Sequence, residues 1–302
     1  MSNLIDYSKY ARNEYSQFGE DGIIEYIISK LPDKDKWCVE FGAWDGIYLS
    51  NTFNLVKNHG YRPVLIEADK KKFQVLQANM ASFEAVLLNK FVSFDGANTL
   101  DKILEKIGIP IDFDLLSIDI DGNDYWIFDS IVEFRPKIIC IEYNPSIPNS
   151  VEYIQPRNFL VKRGASALSI WKLAKQKSYE LISATCCNLI FVDKKYFNLF
   201  QPEETPLSSL RNDDHCRIYA FVGYDGTIIH SRPIHFTWHN FTIAEEALQS
   251  LPRLLRKFPP DYNIFQKLLL AAFLLLIEPT RTLRRLYTRL KKQPLGPSSL
   301  PK

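Results

Sequence analysis

The stretch WCVEFGAWDG, residues 37–46, joins a short apolar run to a loop that contains two glycines. Residues 37–41 are mostly aromatic, β-branched or otherwise apolar, and this composition predicts a strand. Gly42 and Gly46 would let the backbone of the next loop pass close to a bound molecule, because glycine has no side chain in the way. The stretch therefore predicts the first strand of an α/β sheet, with a ligand site beyond its carboxyl end.

The sequence around this stretch alternates β-forming runs with helical patterns from about residue 20 to residue 180. Such alternation is typical of a mostly parallel sheet with helices on both faces. The runs at residues 114–121 and 137–143 are apolar on both faces, as expected for strands in the middle of a covered sheet. Further strands are predicted at residues 63–67 and 84–88, with a closing antiparallel pair at residues 179–184 and 188–192.

The pattern changes after about residue 200. Residues 217–230 predict a hairpin that turns at Asp225-Gly226, a dipeptide that favours tight turns. We therefore predict two parts. Residues 1–200 would form the α/β domain with an N-terminal helical cap, and residues 201–302 a hairpin and helical extension that ends in a basic amphipathic helix and a disordered tail.

The predicted C-terminal helix has an apolar stripe formed by Leu283, Leu286, Tyr287 and Leu290. It is surrounded by six basic residues, namely Arg281, Arg284, Arg285, Arg289, Lys291 and Lys292. A basic amphipathic helix that follows an apolar segment favours contact with a membrane surface. The alternative is a solvated helix that docks on the domain through its stripe. The apolar run at residues 268–277 is too short to span a bilayer.

The overall composition limits the partners and the compartment. A net charge of only +2 argues against a nucleic-acid partner. The five cysteines are odd in number and form no CxxC pair, so we expect free, buried thiols in a reducing compartment. The N-terminal residues lack the apolar core of a signal peptide. We therefore expect a soluble, cytoplasmic protein, with peripheral membrane contact as the option that the basic helix adds.

Four of the predicted strands change from apolar to acidic residues at their carboxyl ends. The acidic groups are Glu40, Glu67, residues 119–124 and residues 142–144. Because the carboxyl ends of parallel strands meet at one edge of a sheet, we expect these groups to share a single ligand site.

The spacing of the first loop indicates which ligand it binds. It follows E-x-G-x-x-x-G and not the G-x-G-x-x-G of a pyrophosphate-binding turn. Glu40 and Asp45 would repel a pyrophosphate, whereas they would attract the sulfonium and amino groups of S-adenosylmethionine. Glu67 can accept hydrogen bonds from both ribose hydroxyls of any nucleoside cofactor. The acidic loop therefore favours S-adenosylmethionine over a dinucleotide.

Four segments of the chain resemble the FkbM-type group of S-adenosylmethionine-dependent methyltransferases: VEFGAWDG, VLIEAD, LLSIDIDGNDYWIF and IICIEYN. The resemblance covers roughly residues 15–195, and the upstream segment SQFGEDG also fits. It implies a Rossmann-like, seven-stranded sheet of order 3-2-1-4-5-7-6 and O-methylation as the activity. It further implies that Glu40, Gly42 and Gly46 contact the methionine part of the cofactor, and that Glu67 contacts its ribose.

The full set of predicted cofactor-binding residues is Glu40, Gly42, Ala43, Asp45, Gly46, Glu67, Ala68 and Asp119. Two segments depart from the family pattern. The first loop has Trp44 and Asp45 where the family commonly has GANxG, and Asp119-Ile-Asp121-Gly122 replaces a D-x-E-G motif.

The acidic ends of the fourth and fifth strands have two interpretations. In the structural one, Asp121 or Asp124 caps the helix that begins around Tyr125. In the functional one, Asp119, Asp121, Glu142 and Asn144 contact cofactor and substrate or converge on Mg²⁺, a cation that prefers hard oxygen ligands. A metal at this edge would lower the pKa of a substrate hydroxyl.

Methyl transfer needs an aligned acceptor and a base that removes its proton. The candidate catalytic residues are Asp119, Asp121 and His239, with His235 four residues before the last. The alternative for the two histidines is a surface or packed pair without a catalytic role. We predict O-methylation of a hydroxyl on a saccharide or related small-molecule metabolite. The alternatives are an NAD- or nucleotide-dependent enzyme of the same fold class, against which the missing G-x-G-x-x-G argues, and a non-catalytic binding module, which would not need ordered acids at its strand ends.

Overall fold

A computed structural model describes residues 5–201 and 205–290 of the chain. The chain divides into two compact units, residues 1–217 and residues 218–302. The boundary near residue 200 that the sequence suggests stays a prediction.

The first unit is built on a seven-stranded sheet. Its strands are β1 (Trp37–Phe41), β2 (Arg62–Ile66), β3 (Val86–Leu88), β4 (Leu115–Ile118), β5 (Ile138–Glu142), β6 (Tyr179–Ala184) and β7 (Asn188–Asp193). Their order is β3-β2-β1-β4-β5-β7-β6. Neighbouring strands are parallel except for β7, which is antiparallel to both β5 and β6. The predicted fold class and strand order are confirmed.

Helices cover both faces of this sheet. They are α1 (Glu20–Lys30), α2 (Phe53–His59), α3 (Lys70–Asn79), α4 (Leu100–Glu105), α5 (Asp124–Ser130), α6 (Ala167–Gln176) and the short α7 (Leu207–Leu210). Successive residues of β1 point to opposite faces, as strand geometry requires. Val39 and Phe41 belong to the core under α4, α5 and α6, whereas Cys38 belongs to the core under α1, α2 and α3. All five cysteines are free, and Cys38 and Cys140 are buried as expected. The expectation of burial is wrong for Cys186, which is exposed, and Cys187 and Cys216 are only partly buried.

The fourth strand is shorter than the apolar run predicts. It ends at Ile118, so Asp119 and Asp121 lie in the loop beyond it and not in the strand predicted over residues 114–121. Within this loop, the backbone of Asp121 has a φ of +56°. Aspartate is one of the few residues that adopt this left-handed region readily.

The second unit contains two small hairpins and a helical pair. Strands β8 (Ala220–Val222) and β9 (Ile228–His230) are antiparallel, and the chain turns between them at Asp225-Gly226, which confirms that prediction. The second hairpin joins β10 (His235–Phe236) to β11 (Phe241–Thr242). Helices α8 (Ile264–Ile277) and α9 (Pro279–Leu290) follow.

Among the described residues, no helix combines the length and apolar character needed to cross a membrane. Helix α9 covers most of the predicted basic helix, but the side chains of residues 285–290 are outside what the structure describes. Lys291, Lys292 and the predicted disordered tail after Pro294 also lie outside the described residues.

Candidate functional site

The loops that follow β1 and β4 touch at the carboxyl edge of the sheet. A Cβ atom placed on Gly42 would lie 2.0 Å from the carbonyl oxygen of Asp119, so only glycine fits at this position. The φ of Gly42 is +76°, in the left-handed region that favours glycine. Its N–H donates to the carbonyl of Ile66 at 3.0 Å. Gly42 therefore joins the ends of β1, β2 and β4.

Gly46 has a different structural reason to be glycine. A Cβ atom there would lie 2.5 Å from the Cδ1 of Leu76 and 3.0 Å from the Cε of Met80. The first loop is thus packed tightly against α3 at this point. The sequence interpretation assigned both glycines to a bound molecule, whereas the structure shows that protein neighbours already exclude a side chain at each of them.

Glu40 fixes the segment that leads into α2. Its buried carboxylate accepts hydrogen bonds from the hydroxyl of Ser50 at 2.6 Å, the hydroxyl of Thr52 at 2.8 Å and the backbone N–H of Asn51 at 3.0 Å. Burial raises the pKa of Glu40, although these hydrogen bonds act in the opposite direction. Both carboxylate oxygens therefore already have donors from the protein itself.

Glu67 ties the loop after β1 to the loop after β2. One carboxylate oxygen accepts the N–H of Trp44 at 2.9 Å, and the other accepts the N–H of Asp69 at 2.7 Å. The Nδ2 of Asn89, at the end of β3, donates to the carbonyls of Glu67 and Ala68 at 2.8 and 3.2 Å. Each oxygen of the Glu67 carboxylate keeps a second lone pair for a ligand hydroxyl. The role of Asn89 was missed from the sequence.

Asp45 stabilises the turn of the first loop. Its carboxylate accepts the N–H groups of Ile47 at 2.9 Å and Tyr48 at 2.8 Å. Trp44 has a φ of +47° and a half-exposed side chain that packs edge-on against Tyr48. The Nζ of Lys72 lies 4.6 Å from the centre of the Trp44 ring. Trp44 and Asp45, which depart from the family pattern, are therefore held by contacts within the protein, and the side chain of Trp44 is partly exposed on the loop.

Three acidic groups meet beyond β4 and β5. Carboxylate oxygens of Asp119, Asp121 and Glu142 all lie within 4.8 Å of one another. Burial, followed by the charges of Asp124 and Asp121, raises the pKa of Asp119 to about 7. Burial and the charge of Asp119 raise the pKa of Glu142 to about 10. We therefore expect Asp119 and Glu142 to share a proton at neutral pH.

The interpretation in which Asp121 or Asp124 caps the next helix is wrong. The N-cap of α5 is Asn123, and no side chain caps it. The buried carboxylate of Asp124 instead accepts the N–H groups of Ile120 and Gly122, both at 2.9 Å. Burial raises the pKa of Asp124 to about 6. Asp124 closes the turn that presents Asp119 and Asp121.

Asn144 serves the loop after β5. Its Nδ2 donates to the carbonyl of Arg163 at 2.8 Å, and its Oδ1 accepts both the N–H and the hydroxyl of Ser146 at 2.9 and 2.6 Å. These contacts occupy the amide that the sequence placed in a metal site. The structure therefore brings the acidic groups of Asp119, Asp121 and Glu142 together, whereas the Asn144 amide is occupied by contacts within its own loop.

A buried arginine that the sequence did not single out holds the same loop. Arg211 donates from Nε to the hydroxyl of Tyr143 at 2.9 Å and from its Nη atoms to the carbonyls of Ile147 and Pro145 at 2.9 and 2.8 Å. It also donates to the Oδ1 of Asn149 at 2.6 Å. Because the residue lies far along the chain from β5, no local pattern pointed to it.

The predicted catalytic histidine belongs to the second unit. His239 is exposed, and its ring centre lies 6.2 Å from that of Phe236 and 6.4 Å from that of Phe241. The Nδ1 of His235 is 3.0 Å from the hydroxyl of Thr242. The groups that the structure brings together at the acidic edge all come from the first unit.

The strand order places the first unit in the class of open α/β sheets, which bind their ligands beyond the carboxyl ends of the strands. The acidic groups lie at that edge of the sheet. Within this class, residues 96–166 match the family model described as "Methyltransferase FkbM domain". The match spans Asp119, Asp121 and Glu142 and confirms the predicted resemblance to FkbM-type methyltransferases. It supports an enzyme of the methyltransferase type. No curated protein sequence matches the chain.

Similar solved structures include three methyltransferases. A TehB-like SAM-dependent methyltransferase from Corynebacterium glutamicum is 14% identical, covers 61% of this chain and 90% of its own, and has a TM-score of 0.36. An O-methyltransferase from Bacillus cereus in complex with SAH is 16% identical, covers 52% and 74%, and has a TM-score of 0.35. An S-adenosylmethionine-dependent methyltransferase from Clostridium acetobutylicum is 12% identical, covers 62% and 92%, and has a TM-score of 0.37.

Replacing Gly42 tests whether the contact with Asp119 shapes the site. Gly96 is the matched control, since its φ of +73° is similar and a Cβ atom there would meet nothing within 4 Å. We expect Gly96→Ala to lower the free energy of unfolding by about 1–2 kcal/mol, the cost of a left-handed alanine. Gly42→Ala adds a steric clash, so we expect a loss of at least about 3 kcal/mol in urea unfolding. Equal losses would show that the close approach is unimportant.

Replacing Glu142 tests the shared proton. The pKa of Glu142 lies at about 10 in the folded protein and at 4.5 in its ordinary state, so the folded protein binds the proton more tightly. The free energy of unfolding should therefore fall as the pH rises between these values. Glu142→Gln removes that titration. From pH 5 to pH 9 in EDTA, we expect the free energy of unfolding of the variant to rise relative to that of the natural protein by at least about 1.4 kcal/mol. The exposed control Glu84→Gln should show no such gain, and parallel curves for all three proteins would contradict the shared proton.

Proposed function

We propose that the chain transfers a methyl group from S-adenosylmethionine to a hydroxyl acceptor at the acidic edge of the sheet. The observation that carries the proposal is the carboxylate pair Asp119 and Glu142. Among the described residues, neither carboxylate receives a hydrogen bond from an N–H or a protein hydroxyl, and burial raises the pKa of both. Such a pair favours a cationic ligand or a proton and disfavours a phosphate.

The residues at this edge of the sheet fit this cofactor. Glu67 has a free lone pair on each carboxylate oxygen, the arrangement that a ribose diol needs. Glu40 and Asp45 shape the loop through their own hydrogen bonds, so we propose that Gly42, Ala43, Gly46 and Ala68 offer mainly backbone. When bound, S-adenosylmethionine supplies a methyl group that its sulfonium has already activated. The protein must then align the acceptor and accept its proton.

Asp119 is the base that the geometry favours most. Its pKa of about 7 allows it to take a proton from an acceptor hydroxyl near neutral pH. Glu142 can hold or share that proton, because the pair is coupled. Asp121 is exposed beside them and is the second candidate, with His239 of the second unit as the third.

Mg²⁺ is an alternative partner for the same acids. The oxygens of Asp119, Asp121 and Glu142 are hard ligands within 4.8 Å of one another, a donor set that fits a divalent cation. A cation there would supply charge that lowers the pKa of the acceptor hydroxyl. Asn144 would take part only by giving up its hydrogen bonds to Ser146.

The acceptor that we propose is a hydroxyl of a saccharide or a related metabolite, as the FkbM resemblance implies. We also propose that the protein works in the cytoplasm. The free state of all five cysteines fits a reducing compartment. The basic C-terminal helix would add peripheral contact with a membrane surface.

Calorimetric titration tests the cofactor proposal. We expect S-adenosylmethionine and S-adenosylhomocysteine to bind and NAD not to bind. Glu67→Gln loses one charged acceptor for the ribose, so its Kd should rise by about tenfold or more. The control Glu84→Gln changes an exposed carboxylate in the same way and should leave the Kd unchanged.

Three outcomes would contradict the proposal. Tight binding of NAD would favour the dinucleotide enzyme, and the absence of binding by any nucleoside cofactor would favour a binding module. An unchanged Kd in Glu67→Gln would remove this carboxylate from the site.

A further inference from the structure

Helix α8 is apolar on every side over its last ten residues, and protein does not enclose it. Residues 268–277 contain only leucine, alanine, phenylalanine and isoleucine, and no residue of α8 is buried. A helix that is apolar all round is normally covered on all its faces. In a water-exposed helix, this composition leaves a large apolar surface that needs a partner.

Most of the exposed large apolar side chains of α8 follow one face of the helix. Ile264, Phe265, Leu268, Leu275 and Leu276 are 77%, 61%, 66%, 38% and 81% exposed, and Ile277, which is 65% exposed at the end of the helix, lies outside this face. Their spacing of one, four, eleven and twelve residues from Ile264 is that of a helical stripe. The stripe extends for about 18 Å along the helix axis. Its N-terminal end is fixed by a capping box between Asn263 and Gln266.

A basic segment begins where this apolar helix ends. Helix α9 starts at Pro279, and the hydroxyl of Thr282 donates to the carbonyl of Leu274 at 3.0 Å, which holds the start of α9 against the end of α8. Between residues 279 and 293 the sequence has six lysines and arginines and no acid. Arg281 and Arg284 are exposed, the former in an ion pair with Glu278. Apolar and cationic surfaces are therefore adjacent within the same helical pair.

We propose that α8 inserts into the interfacial region of an anionic lipid bilayer, with α9 at the level of the headgroups. The proposal deepens the membrane contact suggested above and rests on that part of the proposed function. The segment that enters the membrane is then the exposed face of α8 and not the apolar stripe of α9. At 14 residues, α8 is about 21 Å long and falls short of the roughly 30 Å hydrocarbon core, so it would lie in the interface and not span it.

Charge and shape favour lipid over a second copy of the chain. A second copy would bring two basic segments of the same sign together, whereas anionic headgroups neutralise them. The interfacial region of a bilayer can receive the exposed apolar face of a helix while its anionic headgroups meet the adjacent basic residues.

Vesicle flotation with the full chain tests the proposal. We expect binding to phosphatidylcholine vesicles that contain a quarter phosphatidylglycerol to be at least tenfold stronger than binding to pure phosphatidylcholine, and to weaken as salt rises. Leu268→Glu/Leu276→Glu should weaken binding to the anionic vesicles at least tenfold. The control Ile111→Glu/Val132→Glu places the same charges at sites in the first unit that are 61% and 78% exposed, and it should bind as the natural protein does.

Three results would overturn the proposal. The natural protein could fail to bind anionic vesicles, or the control pair could lose binding as strongly as the α8 pair. The natural protein could instead form a dimer, measured by light scattering, that Leu268→Glu/Leu276→Glu dissolves while vesicle binding stays unchanged. Circular dichroism on the same samples shows whether each variant is folded. Calorimetry with S-adenosylhomocysteine then separates failure at the membrane from failure of the cofactor proposal.

Discussion

The arrangement of the candidate site depends on the cost of placing carboxylates at a buried sheet edge. Glu40, Glu67 and Asp124 each meet this cost with hydrogen bonds from backbone N–H groups or hydroxyls. Asp119 and Glu142 have mainly each other and the exposed Asp121. Burial raises the pKa of both groups, and neighbouring carboxylates raise it further, Asp124 and Asp121 for Asp119 and Asp119 for Glu142, so a proton or a cation stabilises the pair. We propose that this requirement makes the acidic edge the ligand site.

The surrounding loops keep this edge in one shape. Gly42 brings the loop after β1 against the carbonyl of Asp119, and Glu67 ties the same loop to the start of α3. On the other side, Arg211 holds the loop after β5 through four carbonyl, amide and hydroxyl oxygens. A site whose parts come from four strands needs such cross-links, because small displacements weaken alignment of an acceptor.

Much of the first unit could be predicted from the sequence because its signals are local. Apolar runs such as residues 137–143 and the acids that follow them gave the strands and their common edge, and the resemblance gave the strand order. The uses of individual polar groups depend on tertiary neighbours and could not be read in this way. Asp124 closes a turn and not a helix cap, Asn144 holds Ser146, and Gly46 makes room for Leu76. Arg211 was missed for the same reason.

We propose that the edge formed by Glu67, Asp119 and Glu142 binds the cofactor. A crystal structure of the protein with S-adenosylhomocysteine would test this. We expect both ribose hydroxyls to lie within hydrogen-bonding distance of the Glu67 carboxylate and the sulfur to face Asp119 and Glu142. A nucleoside bound elsewhere, with the Glu67 carboxylate free of the ribose, would contradict it.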